Sequence, residues 1–295
     1  MEKKYKAIAF GEILWDILPD KKCLGGAPFN VSAHLNRMGF ETKIISALGK
    51  DKLGQEALEF IKKEGCSSDF IANLNEISTG FTNVVVHKGI PDYEFNEPCA
   101  WDMISISDNQ LRKLSEEKFD VFIFGSLAQR HEISRKTLYS LLTGLQADTV
   151  FFDVNLRKNF FTRKIIEDSL IFADIVKMND EEIPVVSKLL GYKECDDDFI
   201  FKFIDDFGLK GLIATSGKKG SAAYFNNQKV SCSCGNVKVV DTVGAGDSFS
   251  AAFLASYIKG NNIEESLCKG AKLADFVVSK TGALPEYDEK ILAAM

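Results

Sequence analysis

The chain has 295 residues, 45% of them hydrophobic and 26% charged, with a formal net charge of −6. That length carries a soft prior of two domains, although an α/β fold can use it as one domain, 1–295, with a small appendage. The composition is that of an ordinary globular protein with a sizeable core, and the acidic balance argues against a nucleic-acid partner.

The start, MEKKYKAIAFGEILWD, places basic residues before an apolar run. Gly11 and Glu12 interrupt the run too early for a signal peptide. No stretch reaches the roughly 18 apolar residues of a membrane span, so a cytoplasmic protein without a membrane partner is expected. Apolar runs at 5–10, 42–48, 120–125, 149–154, 173–178 and 211–216 read as buried strands. Helical patterns lie between them at 51–64, 132–146, 161–171, 181–190 and 197–207, and two long helices at about 246–259 and 263–280 close the chain. Near-continuous apolar strands alternating with helices predict a mostly parallel sheet covered on both faces.

The segment 79–102 breaks this rhythm. It alternates, turns at Gly89-Ile90-Pro91-Asp92 and alternates again, which is a hairpin signal. With residues of about 12–23 it could form a small sheet projecting as a lid from the carboxyl ends of the main strands, where ligands bind in open α/β sheets. Apolar Phe81, Val84 and Val86 could pair with a second copy's lid and give a homodimer, or pack within their own subunit.

Seven cysteines, at 23, 66, 99, 195, 232, 234 and 268, show no C-x-x-C pair and read as reduced thiols. Three dispersed histidines, His34, His87 and His131, show no zinc spacing. GLIATSGKKG at 211–220 is not a P-loop: five residues separate Gly211 from Gly217, and Lys219 stands where Ser or Thr should bind magnesium. No dinucleotide fingerprint opens a helix.

Four polar clusters remain. In DTVGAGDSFSAAF (241–253), Gly244, Ala245 and Gly246 open a helix whose Phe249, Ala252, Phe253 and Ser256 mark a packed face. The first amides of a helix lack intrahelical partners, and small residues let an anion approach them. The helix N-terminus is expected to keep Asp247 ionised; the plainer reading is a buried helix start with an acid in its first turn. In LGGAPFNVSAHLNRMG (24–39), Gly25 and Gly26 permit close approach and unusual φ, Pro28 suits a first turn, and Asn30 and His34 lie one turn apart. The alternative there is a tight turn with surface polar groups. In NDEE (179–182), Asn179 and Glu182 form a capping-box pattern on a solvated acidic turn, or set a carboxylate near metal-bound phosphates. In FFDVNLRKNFF (151–161), Asp153, Asn155 and Arg157 alternate at a strand's carboxyl end, and Arg157 could grip a phosphate or sugar oxygen or simply be a surface arginine.

Together, GGAPFNVSAHLNRMG at 25–39 and DTVGAGDSFSAAF at 241–253 resemble the two signatures of the ribokinase-like, PfkB-type carbohydrate kinases. GEILWDILPD (11–20), F-x-x-x-x-A-W-D (95–102) and DVNLR (153–157) are similar to fructokinases within that family. The resemblance implies a three-layer α/β/α sandwich with a central, mostly parallel sheet and a small β lid. It implies transfer of the γ-phosphoryl group of ATP, with Mg2+, to a sugar hydroxymethyl, most directly of fructose; ribose, 2-keto-3-deoxygluconate or a nucleoside are the alternative acceptors. A silent sugar or nucleotide sensor is the alternative of another class. Carried over, Asp247 is the catalytic base and the backbone of Gly244, Ala245 and Gly246 the anion hole. Asp16, Gly25, Gly26 and Asn30 line the sugar pocket, joined by Asn155 and Arg157. Thr215, Gly217 and Gly220 form the nucleotide loop, and Asn179 with Glu182 the magnesium and phosphate motif. Asp241 and the backbone of Val243 fall where many members bind a monovalent cation such as K+. The chain departs from the family at Ala271, where an asparagine toward adenosine is frequent, and at Lys280-Thr281-Gly282-Ala283, where arginine-x-glycine-alanine is frequent.

Overall fold

A computed structural model describes residues 3–17, 21–87 and 90–295. The chain begins with β1 (Lys6–Phe10), β2 (Leu14–Ile17), β3 (Lys22–Gly25) and α1 (Ala27–Arg37). β4 (Glu41–Gly49), α2 (Lys52–Lys63), β5 (Ile71–Leu74), β6 (Gly80–His87) and β7 (Ile90–Phe95) follow. Next come α3 (Asp108–Ser115), β8 (Lys118–Phe119), β9 (Val121–Gly125), α4 (Glu132–Gly144), β10 (Gln146–Ala147) and β11 (Val150–Asp153). The third quarter holds α5 (Arg163–Phe172), β12 (Ile175–Asn179), α6 (Glu182–Leu190), α7 (Asp197–Phe207) and β13 (Gly211–Thr215). β14 (Ser221–Phe225), β15 (Gln228–Cys232), α8 (Ala245–Ile258), α9 (Ile263–Val278) and α10 (Glu289–Leu292) complete the chain.

Nine strands form the main sheet in the order β15-β14-β13-β12-β11-β9-β1-β4-β5. Pairing is parallel from β5 through β13, and β14 and β15 add an antiparallel edge. The six strands read from apolar runs are all in this sheet. Its two faces follow from the period of two in a strand. Ile8, Phe10, Phe122, Phe124, Phe152 and Val176 face the layer built by α3 to α7. Ala7, Ala9, Val121, Ile123, Phe151 and Ile175 face α1, α8 and α9. Helices on both faces give the expected α/β/α sandwich. α8 is not one-sided as its spacing suggested: Ser248 through Ser256 are all buried, because α1 and α9 cover what the sheet does not.

A second sheet, in the order β3-β2-β6-β7, stands beyond the carboxyl ends of the main strands. It is smaller than the expected 12–23 and 79–102. Ile90, Pro91 and Asp92 belong to β7, opposite His87, Val86 and Val85, rather than to a turn; residues 88 and 89 lie outside the described residues. Residues 100–103 leave the small sheet altogether. Trp101 is buried in the main core, and Asp102 forms a buried bidentate pair with Arg130 at 2.7 Å. Phe81 packs on the cluster of Ile13, Trp15 and Leu24 within its own chain.

The expectation of seven reduced thiols fails at one pair. Cys232 at the end of β15 and Cys268 in α9 form a disulfide, with Cα atoms 5.5 Å apart. Their separation of 36 residues gives no spacing signal; packing of α9 on the edge strands brings them together. Among the described residues, no helix is long and apolar enough to cross a membrane.

Candidate active site

A cavity of about 610 Å³ opens between the carboxyl edge of the main sheet and the small sheet. Leu14, Asp16, Thr82 and Phe95 wall it from the small sheet; Asp153, Lys177, Asn179 and Thr215 come from the ends of β11, β12 and β13. The N-terminus of α8 supplies Gly244, Gly246 and Asp247.

Gly244 caps α8 at φ +76°, a conformation that suits glycine, and a Cβ there would sit 2.5 Å from the Ala283 methyl. A Cβ on Gly246 would meet only Lys177 Nζ, at 3.4 Å, so the helix mouth is open to a ligand. The anion hole is narrower than expected: the Ala245 amide already donates to Thr242 O at 3.3 Å, and Ala245 does not line the cavity. The amides of Gly246 and Asp247, beyond the reach of intrahelical bonding, remain as donors.

Asp247 Oδ2 accepts a 2.7 Å bond from Asn30 Nδ2 of α1. The helix end does not hold its pKa down. Burial raises it to about 6, with the Asp153 charge adding, against the opposing Asn30 bond, Lys177 and Arg157. Asp247 is therefore a buried carboxyl that changes charge close to neutrality. Asn30 Oδ1 is buried without a protein partner, and so is Glu12 Oε2. Glu12 Oε1 accepts from the Ala27 amide at 3.3 Å, and burial pushes the Glu12 carboxyl up to about 7. These buried atoms on the cavity wall are groups that a polyhydroxylated ligand would satisfy.

Asp16 also faces the cavity. Its Oδ1 accepts from Thr82 Oγ1 at 2.6 Å, and burial raises its pKa. Gly25 is ordinary strand backbone; its missing Cβ leaves room for Asp16 Oδ2, which would lie 3.3 Å from one. Gly26 does adopt a positive φ, +108°, and a Cβ would lie 2.2 Å from Glu12 O.

Glu182 does not sit on a solvated turn. It is buried, with Oε1 accepting from Leu156 N at 2.8 Å and Oε2 from Asn179 N at 2.9 Å. Asn179 Oδ1 returns the bond from Glu182 N at 2.8 Å, completing the reciprocal box. Burial, then the Asp153 charge, raises the Glu182 pKa. Asn155 lines the cavity at φ +42°, and Arg157 reaches its rim from an exposed position. Thr215 lines the cavity, whereas Gly217 and Gly220 shape the β13–β14 turn behind it. Asp241 lies outside the cavity, its carboxylate accepting from Val243 N at 3.1 Å and Gly282 N at 3.0 Å; Val243 is on the wall. Ala271 is buried against α8 and does not line the cavity.

His34 is neither a surface group nor part of the cavity. It is fully buried, and Nε2 bonds Ala283 O at 3.0 Å while Nδ1 meets Tyr287 Oη. A carbonyl only accepts, so Nε2 carries the proton and Nδ1 accepts from the tyrosine. Burial, reinforced by Arg37, lowers its pKa to about 3, and the ring stays neutral. His34 thus anchors the segment that packs on Gly244. Glu12 and Lys177 are among the wall residues that escaped the sequence reading. The signals for these two were an acid two residues after the β1 run and a lysine interrupting the apolar run 175–178.

A helix end with open amides, a buried carboxylate and a polar cleft under a small sheet are features a carbohydrate kinase would need, and the comparisons with known proteins give that class. The chain matches the family model described as pfkB family carbohydrate kinase over residues 20–290, and it belongs to that family. It is 31% identical to a fructokinase of Rhizobium leguminosarum bv. trifolii over 86% of this chain and 79% of that protein. It is 25% identical to a nucleoside kinase of Methanocaldococcus jannaschii over 92% of this chain and 85% of that protein. A solved fructokinase with bound ATP from Xylella fastidiosa superposes with a TM-score of 0.84 at 21% identity, covering 99% of this chain and 95% of that one.

Proposed function

We propose that the chain transfers the γ-phosphoryl group of ATP to a sugar hydroxymethyl, with the 6-hydroxyl of fructose as acceptor. The placement of Asp247 carries this reading. Its carboxylate stands at the mouth of α8, tied to Asn30 on the sugar side and next to the Gly246 amide on the phosphate side. Asp247 orients the attacking hydroxyl and takes its proton. Phosphoryl transfer needs positioning and charge stabilisation more than a strong base. A base with a pKa of about 6 is mostly ionised at neutral pH and still accepts a proton. Asp16, Asn30 and Glu12 hold the sugar hydroxyls, and the small sheet excludes the water that would otherwise take the phosphoryl group.

Among the described residues no group of three or more His, Cys, Asp or Glu forms a metal cage. Magnesium keeps several waters and leans on one or two carboxylates plus substrate phosphates, so it needs no such cage. Glu182 would serve it through water, since each oxygen accepts one amide and keeps a lone pair. Held there, the ion would supply positive charge against the phosphates of ATP. Asp241 and the Val243 carbonyl would hold K+.

Fructose is favoured by the fructokinase relative and by GEILWDILPD; the nucleoside kinase relative keeps a nucleoside as the second acceptor. A silent sensor is disfavoured because Gly244, Gly246 and Asp247 are all in place. ADP release, measured with ATP against fructose, ribose, 2-keto-3-deoxygluconate and nucleosides, tests the reading. Turnover on fructose above the others is expected; no ADP release with any acceptor would overturn it.

A further inference from the structure

A P-loop carries its phosphate-binding lysine within the loop, and the loop at 241–247 has none. The tertiary structure brings one from elsewhere. Lys177 lies in β12 on the sheet face that α8 covers, opposite Asp153 in the β11–β12 pairing. It is only 6% exposed and lines the cavity. Its Nζ donates to both carboxylate oxygens of Asp153, at 3.0 and 2.8 Å, and lies 3.4 Å from where a Gly246 Cβ would be. The ammonium therefore stands at the helix mouth, directly beside the residue whose amide is open.

Resting on the kinase reading above, we propose that Lys177 is the cation of the phosphate site: it touches the transferring phosphoryl group together with the Gly246 and Asp247 amides. An ammonium has three N–H donors, and Asp153 is its acceptor among the described residues. The remaining donor is available to a phosphate oxygen. Burial disfavours the charge, but the Asp153 charge and bonds, with the charges of Glu182 and Asp247 adding, together raise the Lys177 pKa, so the cation persists in a buried place. Asp153 holds more than the lysine. Ser250 Oγ lies 3.1 Å from its Oδ2 and 2.9 Å from Gly246 O and shares its one hydrogen between these two acceptors, so the carboxylate ties the lysine to the first turn of α8. The arrangement also explains a lysine between Val176 and Met178 in an otherwise apolar run. A purely structural pair would gain little from this position, because two buried charges cost more to desolvate than apolar replacements of the same shape. Beside three carboxylates on the cavity wall, Asp247, Glu182 and Asp153, a fixed cation also offsets the repulsion an incoming phosphate would meet.

The test pairs turnover with direct anion binding. Lys177→Met combined with Asp153→Asn removes both buried charges together. In that variant kcat is expected to fall at least about 100-fold, inorganic phosphate binding by 31P NMR to be lost, and sugar and ADP affinities to stay within a few-fold of wild type. Unchanged phosphate binding and turnover would overturn the assignment, as would equal losses for phosphate, ADP and sugar together with a lowered Tm. Should the double variant not fold, wild-type protein labelled with 15N-lysine decides: the Nζ signal missing in Lys177→Arg is expected to move on adding phosphate, and a stationary signal refutes the contact. If wild type releases no ADP with any acceptor, the kinase reading fails separately, and the phosphate titration still judges Lys177.

Discussion

Asn30 Nδ2 donates a 2.7 Å hydrogen bond to Asp247 Oδ2, joining two helices 217 residues apart in sequence. The bond links the proposed sugar side of the cavity to the proposed base, and it opposes the effect of burial on the Asp247 pKa. Much of what can be measured follows from it.

Asp247→Asn keeps the shape and removes the base. Turnover is expected to drop by at least about 100-fold while sugar and ATP still bind; steady-state kinetics with calorimetric binding checks this. Turnover within a few-fold of wild type would exclude the base role.

The pKa of about 6 sets a pH limb. The base works ionised, so kcat/KM should rise with pH through about 6 and then level. Asn30→Ala removes a bond that favours the charged form and should shift the limb to higher pH, which a pH–rate profile reads directly. Stability runs the other way. The folded pKa lies above the unfolded value, so between about 4 and 6 the native state holds the extra proton and loses stability as pH rises. Asp247→Asn should therefore raise Tm at pH 8 and leave it nearly unchanged at pH 4.

Asp16→Ala should raise the sugar KM by roughly 10–100-fold, the scale of a hydrogen bond to a charged group, with the ATP KM nearly unchanged. Asp16 lies in β2 of the small sheet and accepts a hydrogen bond from Thr82 of β6. Equal weakening of both ligands, seen in initial-rate kinetics, would remove it from the sugar site.

Two glycines with similar backbone angles separate strain from clash. Gly244→Ala meets both, a positive φ and the Ala283 methyl at 2.5 Å; Gly282→Ala, at φ +81°, meets nothing within 4 Å. Turnover should collapse in the first and fall modestly in the second, with the first also showing the lower Tm. The difference measures how far the His34-anchored segment shapes the helix mouth.

The sandwich was legible because parallel strands buried on both faces must be apolar along their length, and 5–10, 120–125 and 211–216 show it. The loop at 241–247 was legible because a helix start that admits an anion needs small residues in a fixed order. Other features were hidden by the same logic. Lys177 sits inside an apolar run, and a pattern of period two says which face it takes but not that α8 lies over it. His34 reads as an exposed polar group until the segment around Ala283 and Tyr287 covers it. Glu182 shows its capping pattern in sequence, but the bond to Leu156 N that buries it comes from another strand's end.

Local rules of period, capping and backbone freedom act over a few residues, and they determined the order of strands and helices, the glycine-lined helix mouth and the place of Asp247 in its first turn. Charge and protonation depend instead on what surrounds a group within a few ångströms, whatever its distance along the chain. The raised pKa of Asp247, the neutral His34, the Cys232–Cys268 disulfide and the approach of Lys177 to Gly246 were therefore decided only when β11, β12, α1 and α8 came together.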